Sequence, residues 1–171
     1  MDFITGLPTV QGKDCILVVV DRLTKYAHYF AISAHYTAAQ VVELFFKDIF
    51  RLHGLLKTII SDRDSHFMGG FWQELFHLVG TELTPSTSYH RQTDGQTEIV
   101  NKWLEGYLMN YVVGQQRTWL HWLHLGEYCY NTTHHTSIGM TPFRGLYGYE
   151  ALSFSDVIFG ESKDPRAKEW I

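Results

Sequence analysis

The chain has 171 residues, of which 45% are apolar and 15% aromatic, and its formal net charge is −4. That length and apolar content exclude a disordered tail and give one domain able to bury a core. The acidic balance argues against a simple nucleic-acid-binding module, which carries a basic excess, but not against an enzyme on DNA whose metal ligands are themselves acidic.

In chain order, Phe3 to Leu7 reads as a short strand ending at Pro8. Gln11-Gly12-Lys13 is turn material. Cys15 to Val20 is a continuous, largely β-branched run, the pattern of a central strand buried on both faces. Tyr26 to Ile32 is a third strand, and the short connectors predict an antiparallel meander. Thr37-x-x-Gln40 has the form of a capping box. Val41, Leu44, Phe45 and Leu52 follow a helical period, and Gly54 fits a C-terminal cap. Thr58-Ile59-Ile60 is a buried strand that delivers Asp62. Gly70 to Val79 predicts a helix stopped by Gly80, and Glu82-Leu83-Thr84 an edge strand.

Pro85 to Gln92 is polar loop. Thr93-x-x-Gln96 is a second capping box, opening a long helix with Glu98 in its first turn. Val100, Leu104, Tyr107, Leu108 and Tyr111 form the stripe expected to be buried. Glu98, Asn101, Lys102 and Glu105 share another face. Trp119 to Tyr130 predicts a helix whose aromatics (Trp119, Trp122, Tyr128, Tyr130) suit core or subunit interface. Thr141-Pro142 caps and starts a short helix. The last twenty residues carry little pattern. The order predicts an α/β fold with a mixed sheet flanked by helices, residues 1–150 forming the core and 151–171 an extension or linker.

The two cysteines, Cys15 and Cys129, form no CxxC pair, which leaves a zinc knuckle and a disulfide framework without support and fits a reducing compartment. His134-His135 and His121-x-x-His124 have no partners at zinc-finger spacing. No apolar run approaches the ~20 residues that span a bilayer, so no membrane partner is expected. The start, MDFITGLP, is abrupt and lacks the basic-then-apolar form of a signal peptide.

Asp62 and Glu98 enclose 35 residues, 63–97. Carboxylates arriving from a strand end and a helix can hold a hard dication, which takes one or two carboxylates and completes its shell with water and substrate phosphate. Spacing does not choose among the acids. Asp21 competes with Asp2 as the first, and Asp64 and Asp94 compete with Asp62 and Glu98. An Asp after a strand also serves turns, and a Glu early in a helix also complements the helix dipole.

Flanking residues carry more information. MDFITGLP, ILVVVDRLTKYAHYF, ISDRDSHF, YHRQTDGQTEIVNKWLEGYL and YNTTHHTSIGMTPFRGLYGYE stand in this order and reach residue 150. In these blocks the chain resembles the integrase catalytic core of gypsy-class LTR retrotransposons, within the DDE superfamily of retroviral integrases. The resemblance implies a ribonuclease-H-like fold with a mixed five-stranded sheet. It implies Asp2, Asp62 and Glu98 as catalytic residues and ligands of Mg2+, with Mn2+ as the alternative. It implies DNA contacts from Tyr89 and Gln92 in a flexible loop at Ser86 to Gly95, and from Lys102.

Asp21, Asp64 and Asp94 then become structural or DNA-proximal. The implied partners are element cDNA ends, target DNA and further copies of the chain, and the implied location is the nucleus, with a cytoplasmic particle as an earlier one. Ser65 and Arg91 stand where the family commonly has proline, which loosens two loops near the site. With little strand before Asp2 and no basic C-terminal segment, the sequence reads as a piece of a longer polyprotein or a decayed copy. Two alternatives stay open: a catalytically silent core that still dimerises or binds DNA, and a ribonuclease-H-like nuclease.

Overall fold

The computed structural model describes residues 1–54, 56, 58–61, 77, 80, 82–85 and 91–152. Strands β1 (Asp2–Ile4), β2 (Cys15–Val20) and β3 (Ala27–Ile32) form the expected antiparallel meander. Asp2 lies opposite Val18, and Cys15 opposite Ile32. Val10 and Lys13 exchange backbone hydrogen bonds of 2.8 and 2.9 Å across Gln11 and Gly12. Both turn residues have positive φ (52° and 75°), the backbone that a two-residue hairpin in twisted strands requires. The first strand stops at Ile4, short of the expected Leu7, because Gly6 turns the chain at φ 81°.

β2 is buried on both faces. Cys15, Leu17 and Val19 pack with Val41, Phe45, Ile49 and Ile59 on one side. Ile16 and Val18 pack with Val100, Leu104, Trp119 and Leu123 on the other. Each such aliphatic side chain taken from water contributes roughly 1.5–3 kcal/mol, so this strand anchors two helical layers at once.

The first layer is one helix in three parts. α1 (Ala38–Leu44) begins at the expected capping box, with the Gln40 amide donating to Thr37 Oγ1 at 3.3 Å and the Thr37 amide to Gln40 Oε1 at 2.9 Å. A π-helical stretch, Phe45–Phe50, follows, then α2 (Arg51–His53), closed by Gly54 at φ 74°. The π stretch was not expected. Its wider turn shifts the register of everything after it, so Leu52 is exposed rather than on the buried stripe, and Ile49 is buried.

β4 (Thr58–Ser61) and β5 (Glu82–Pro85) pair in parallel, Thr58 opposite Glu82. Among the described residues the strands form two sheets, an antiparallel one of three and a parallel one of two, where a single mixed five-stranded sheet was expected. The Met1 nitrogen donates to Ile60 O at 2.6 Å and bridges them. The helix expected over Gly70 to Val79 lies outside the described residues, apart from a helical turn at His77. Gly80 follows at φ 71°, donating its amide to His77 O at 3.2 Å.

The second layer holds α3 (Arg91–Tyr111), α4 (Trp119–Thr132) and α5 (Pro142–Tyr147). α3 starts two residues before its expected cap. Thr93 and Gln96 are therefore inside the helix, and Glu98 sits nearly two turns in rather than in the first turn. Arg91 and Gln92 are good helix formers and nothing breaks the helix before Thr93. Residues 91–95 of the expected loop are helical, and 86–90 lie outside the described residues. Val100, Leu104, Tyr107 and Leu108 are buried as expected, but Tyr111 is half exposed, near the helix end. α4 crosses α3 at Gly126, where a Cβ would come within 2.9 Å of the Tyr107 ring. Trp119 and Tyr130 are core residues, while Tyr128 reaches the surface and donates its hydroxyl to Leu152 O at 2.8 Å. α5 is capped by Thr141, whose Oγ1 accepts from the Arg144 amide at 3.1 Å. Residues 153–171, expected to carry little pattern, lie outside the described residues.

Candidate active site

Asp2 opens β1, half-buried, beside the two helical layers' shared strand β2. Its Oδ1 accepts from the Phe3 amide at 2.8 Å. Its Oδ2 accepts from Asn101 Nδ2 of α3 at 2.6 Å, across 99 positions of sequence. A hydrogen bond to a charged group contributes about 1.5–3 kcal/mol when partly desolvated, so this contact fixes the height of α3 against β1.

Glu98 lies one turn before Asn101 on the same side of α3. Its Oε1 accepts from Lys102 Nζ at 2.7 Å. Both side chains are well exposed, at 64% and 71%, so this ion pair organises the surface more than it stabilises the fold. The helix turn Glu98–Lys102 thus carries a carboxylate, its cation, and the amide that reaches Asp2.

Asp62 and Tyr89 lie outside the described residues, as does Asp64. Gln92 is in the first turn of α3. What can be followed is the approach to Asp62. Ile60 accepts from the Met1 nitrogen, so the chain leaves β4 beside the start of β1. Asp21, the competitor for the first acidic position, closes a turn instead. Its Oδ1 accepts from the Leu23 amide at 3.3 Å, and its Oδ2 from the Thr24 amide at 3.0 Å and the Thr24 hydroxyl. Burial alone would raise its carboxyl. The Thr24 and Leu23 bonds and the His53 ring outweigh that and hold it below the ordinary value.

Asn101 was visible in the sequence only as a neighbour on the Glu98 face. Its buried Oδ1 meets no donor. Because a carboxylate can only accept, the amide must turn its NH2 to Asp2, which leaves the oxygen pointing elsewhere. An unsatisfied buried carbonyl costs about 1–3 kcal/mol, a cost the fold carries beside Asp2. The i+3 spacing from Glu98 was the one signal that could have marked it.

The donor set suits a hard dication: carboxylate oxygens from two elements, and neutral amides as the hydrogen-bond donors described at Asp2. Among the described residues no three His, Cys, Asp or Glu side chains converge to hold a metal. His135 instead approaches Tyr130 O at 3.2 Å. A cavity of about 670 Å3, bordered by Val19, Phe45, Ile49 and Ile59, opens on the α1 side; Asp2 and Glu98 do not line it.

No protein-family model matches the chain. Transposon Tf2-3 and Tf2-4 polyproteins of Schizosaccharomyces pombe are each 34% identical to it over 173 aligned positions that take in the whole chain. The chain belongs to the integrase-core family of LTR retrotransposons. It spans 13% of the length of those polyproteins. The solved structures it resembles agree in fold. The HTLV-2 integrase catalytic core domain, solved with magnesium in a trimeric form, superposes with a TM-score of 0.65 at 15% identity, covering 85% of this chain and 94% of that one. The chain in the simian T-cell lymphotropic virus intasome, solved with the PP2A regulatory subunit B56 gamma, gives 0.69 at 15% identity over 89% of this chain and 55% of that one. The integrase core therefore has the ribonuclease-H-like architecture expected of it, with β1, β4 and α3 as the elements around Asp2 and Glu98.

Proposed function

We propose that this integrase core, residues 1–150, binds element cDNA ends and inserts them into target DNA by metal-dependent phosphodiester hydrolysis and strand transfer, with residues 151–171 as a linker. The observation that carries the reading is the 2.6 Å bond from Asn101 to Asp2, which brings the Glu98 side of α3 to the strand that bears Asp2. Asp2, Asp62 and Glu98 are the proposed ligands of Mg2+, with Mn2+ as a substitute. When bound, such ions activate the attacking oxygen and stabilise the leaving one. Water is the nucleophile in end processing, and the freed 3′-hydroxyl is the nucleophile in joining.

Lys102 exchanges its Glu98 partner for a phosphate of the cDNA end. Tyr89 and Gln92, before and at the start of α3, contact DNA. With a net charge of −4 the core needs further basic surface to hold its substrates; as family likeness implies, it acts as an oligomer in the nucleus. The related magnesium-bound core is solved in dimeric and trimeric forms, which supports both the cofactor and the assembly.

The test is strand transfer with Mg2+ on a cDNA-end oligonucleotide. Joining that disappears in Glu98→Gln is expected. A folded chain that joins nothing is the silent core, and hybrid RNA cleavage without joining is the nuclease; either outcome refutes the proposal.

A further inference from the structure

We infer that the contact between His28 and His53 is a proton-controlled latch, which ties the end of α2 to the sheet at neutral pH and releases it in acid. The two Nε2 atoms are 2.9 Å apart. The ring centroids are 5.1 Å apart, nearly that gap plus the two ring radii. The nitrogens therefore point at each other, as in an N–H···N hydrogen bond, and not at a shared metal position. Glu127 sets the direction of this bond. Its Oε2 accepts from the Tyr29 amide at 2.8 Å, and its Oε1 lies 3.2 Å from His28 Nδ1. A carboxylate can only accept, so His28 Nδ1 carries a proton. In the neutral ring Nε2 is then bare, and His53 donates to it from its own Nε2. One further proton is accommodated at His53 Nδ1 with the bond kept. A second leaves two N–H groups and two positive charges face to face, and the bond is lost.

His53 is the last residue of α2, and Gly54 then turns the chain at φ 74° toward β4. The latch thus joins α2, β3 and α4 just before the strand that leads to Asp62. His28 is buried, with the Tyr26 ring at 5.0 Å and the Phe30 ring at 5.9 Å. Asp21 and Arg22 of the β2–β3 turn, of opposite charge, border the same cavity as both histidines, as does Tyr26. Arg51 of α2 is engaged with Lys47 O and Asp48. His124 of α4 borders a separate, smaller cavity beside Glu127 and Tyr26. Burial, then the His28 ring, hold His53 below its ordinary 6.5 against the pull of Asp21, so release comes on the acid side of that value.

The experiment is amide hydrogen exchange of the whole chain at pH 7.5 and pH 5, each corrected for the intrinsic rate. The reporter is the Gly54 amide, which donates to Phe50 O at 2.8 Å, and the control is the Val112 amide at the end of α3, which donates to Leu108 O at 2.9 Å. An opening linked to one proton grows by up to about tenfold per pH unit. Gly54 opening is expected to rise by about tenfold or more between the two conditions, with Val112 unchanged. It is expected to stay level in His53→Asn, whose amide can donate to His28 but does not titrate. Opening at Gly54 that does not change, that rises equally at Val112, or that still rises in a folded His53→Asn overturns the latch. If His53→Asn fails to fold, the imidazole nitrogen resonances of the wild type decide. His28 protonated on Nδ1 and His53 on Nε2 at pH 7.5 is the expected pair, and any other pair of tautomers overturns the latch.

Discussion

Single residues carry most of the chemistry, and two of them separate site from scaffold. Glu98 and Lys102 are exposed and paired with each other. Removing either charge should leave stability within about 0.5 kcal/mol, as for other surface changes. On the proposed function, Lys102→Ala weakens DNA binding about equally for all sequences and lowers the salt slope of log K by about one; binding measured across a salt series shows this, and an unchanged slope contradicts it.

Asp21 and His53 form the opposite case, scaffold groups that titrate, packed beside the hydrogen-bonded pair of His28 and Glu127. His28 Nδ1 donates to Glu127 Oε1 at 3.2 Å, and the His28 and His53 Nε2 atoms are 2.9 Å apart. Burial, then the neighbouring His28 ring, hold His53 below its ordinary value of 6.5, with Asp21 pulling the other way. The unfolded chain therefore binds the proton more readily. The contribution of His53 to stability is complete above about pH 6.5 and is lost as pH falls through the lower, folded value. Asp21 acts the same way further down: its contribution is present above its ordinary 3.8 and is lost in stronger acid. Urea midpoints should fall as pH drops from neutral toward 5, and His53→Asn should flatten that limb. A slope equally steep in the variant would remove His53 from the explanation.

Elements hold these residues where they are, and here polar staples matter as much as apolar packing. Asn131 of α4 is buried and binds both backbone groups of Ala27: its Nδ2 donates to Ala27 O and its Oδ1 accepts from the Ala27 amide, each at 2.8 Å. The side-chain amide thus continues the ladder of β3 and docks α4 on the sheet. Asn131→Ala leaves two backbone groups unpaired, and a loss of about 2–4 kcal/mol in chemical denaturation is expected. A loss under 1 kcal/mol would mean that water replaces the staple.

Elements were also the level at which the sequence was most readable. The meander, both ends of β2, the Thr37 and Thr141 caps and the start of α4 depend on neighbours within a few residues, and each stands where its pattern indicated. What local pattern could not carry was tertiary. The π-helical stretch at Phe45–Phe50 buries Phe45 and Ile49 and leaves Leu52 exposed. The Thr93 box is a capping pattern inside a helix that starts at Arg91. The Asn101–Asp2 contact joins positions 99 apart, and no local rule reports it.

At the scale of the whole molecule, the meander and the parallel pair meet through the Met1 nitrogen and Ile60, and the α3 layer closes over the same edge. That convergence brings the start of β1 and the Asn101 turn of α3, 99 positions apart in sequence, into contact. The match to the Tf2 polyproteins over the whole chain, together with the retroviral core fold, fixes the family; on the proposed function, Asp2, Asp62 and Glu98 supply its mechanism. Asp2 and Asp21 could not be ranked by spacing, and family likeness chose Asp2. The geometry adds a physical reason, since Asp21 is committed to its own turn while Asp2 faces α3.

Iron-directed cleavage tests this convergence most directly. Fe2+ bound in place of Mg2+, with ascorbate and peroxide, cuts the backbone nearest the ion, and mass spectrometry maps the ends. Cuts clustered around Asp2, Asp62 and Glu98, competed by Mg2+ and lost in Glu98→Gln, are the expected result. Cuts around Asp21, or cuts that ignore Mg2+ and survive Glu98→Gln, would contradict a single metal site built from these three acids.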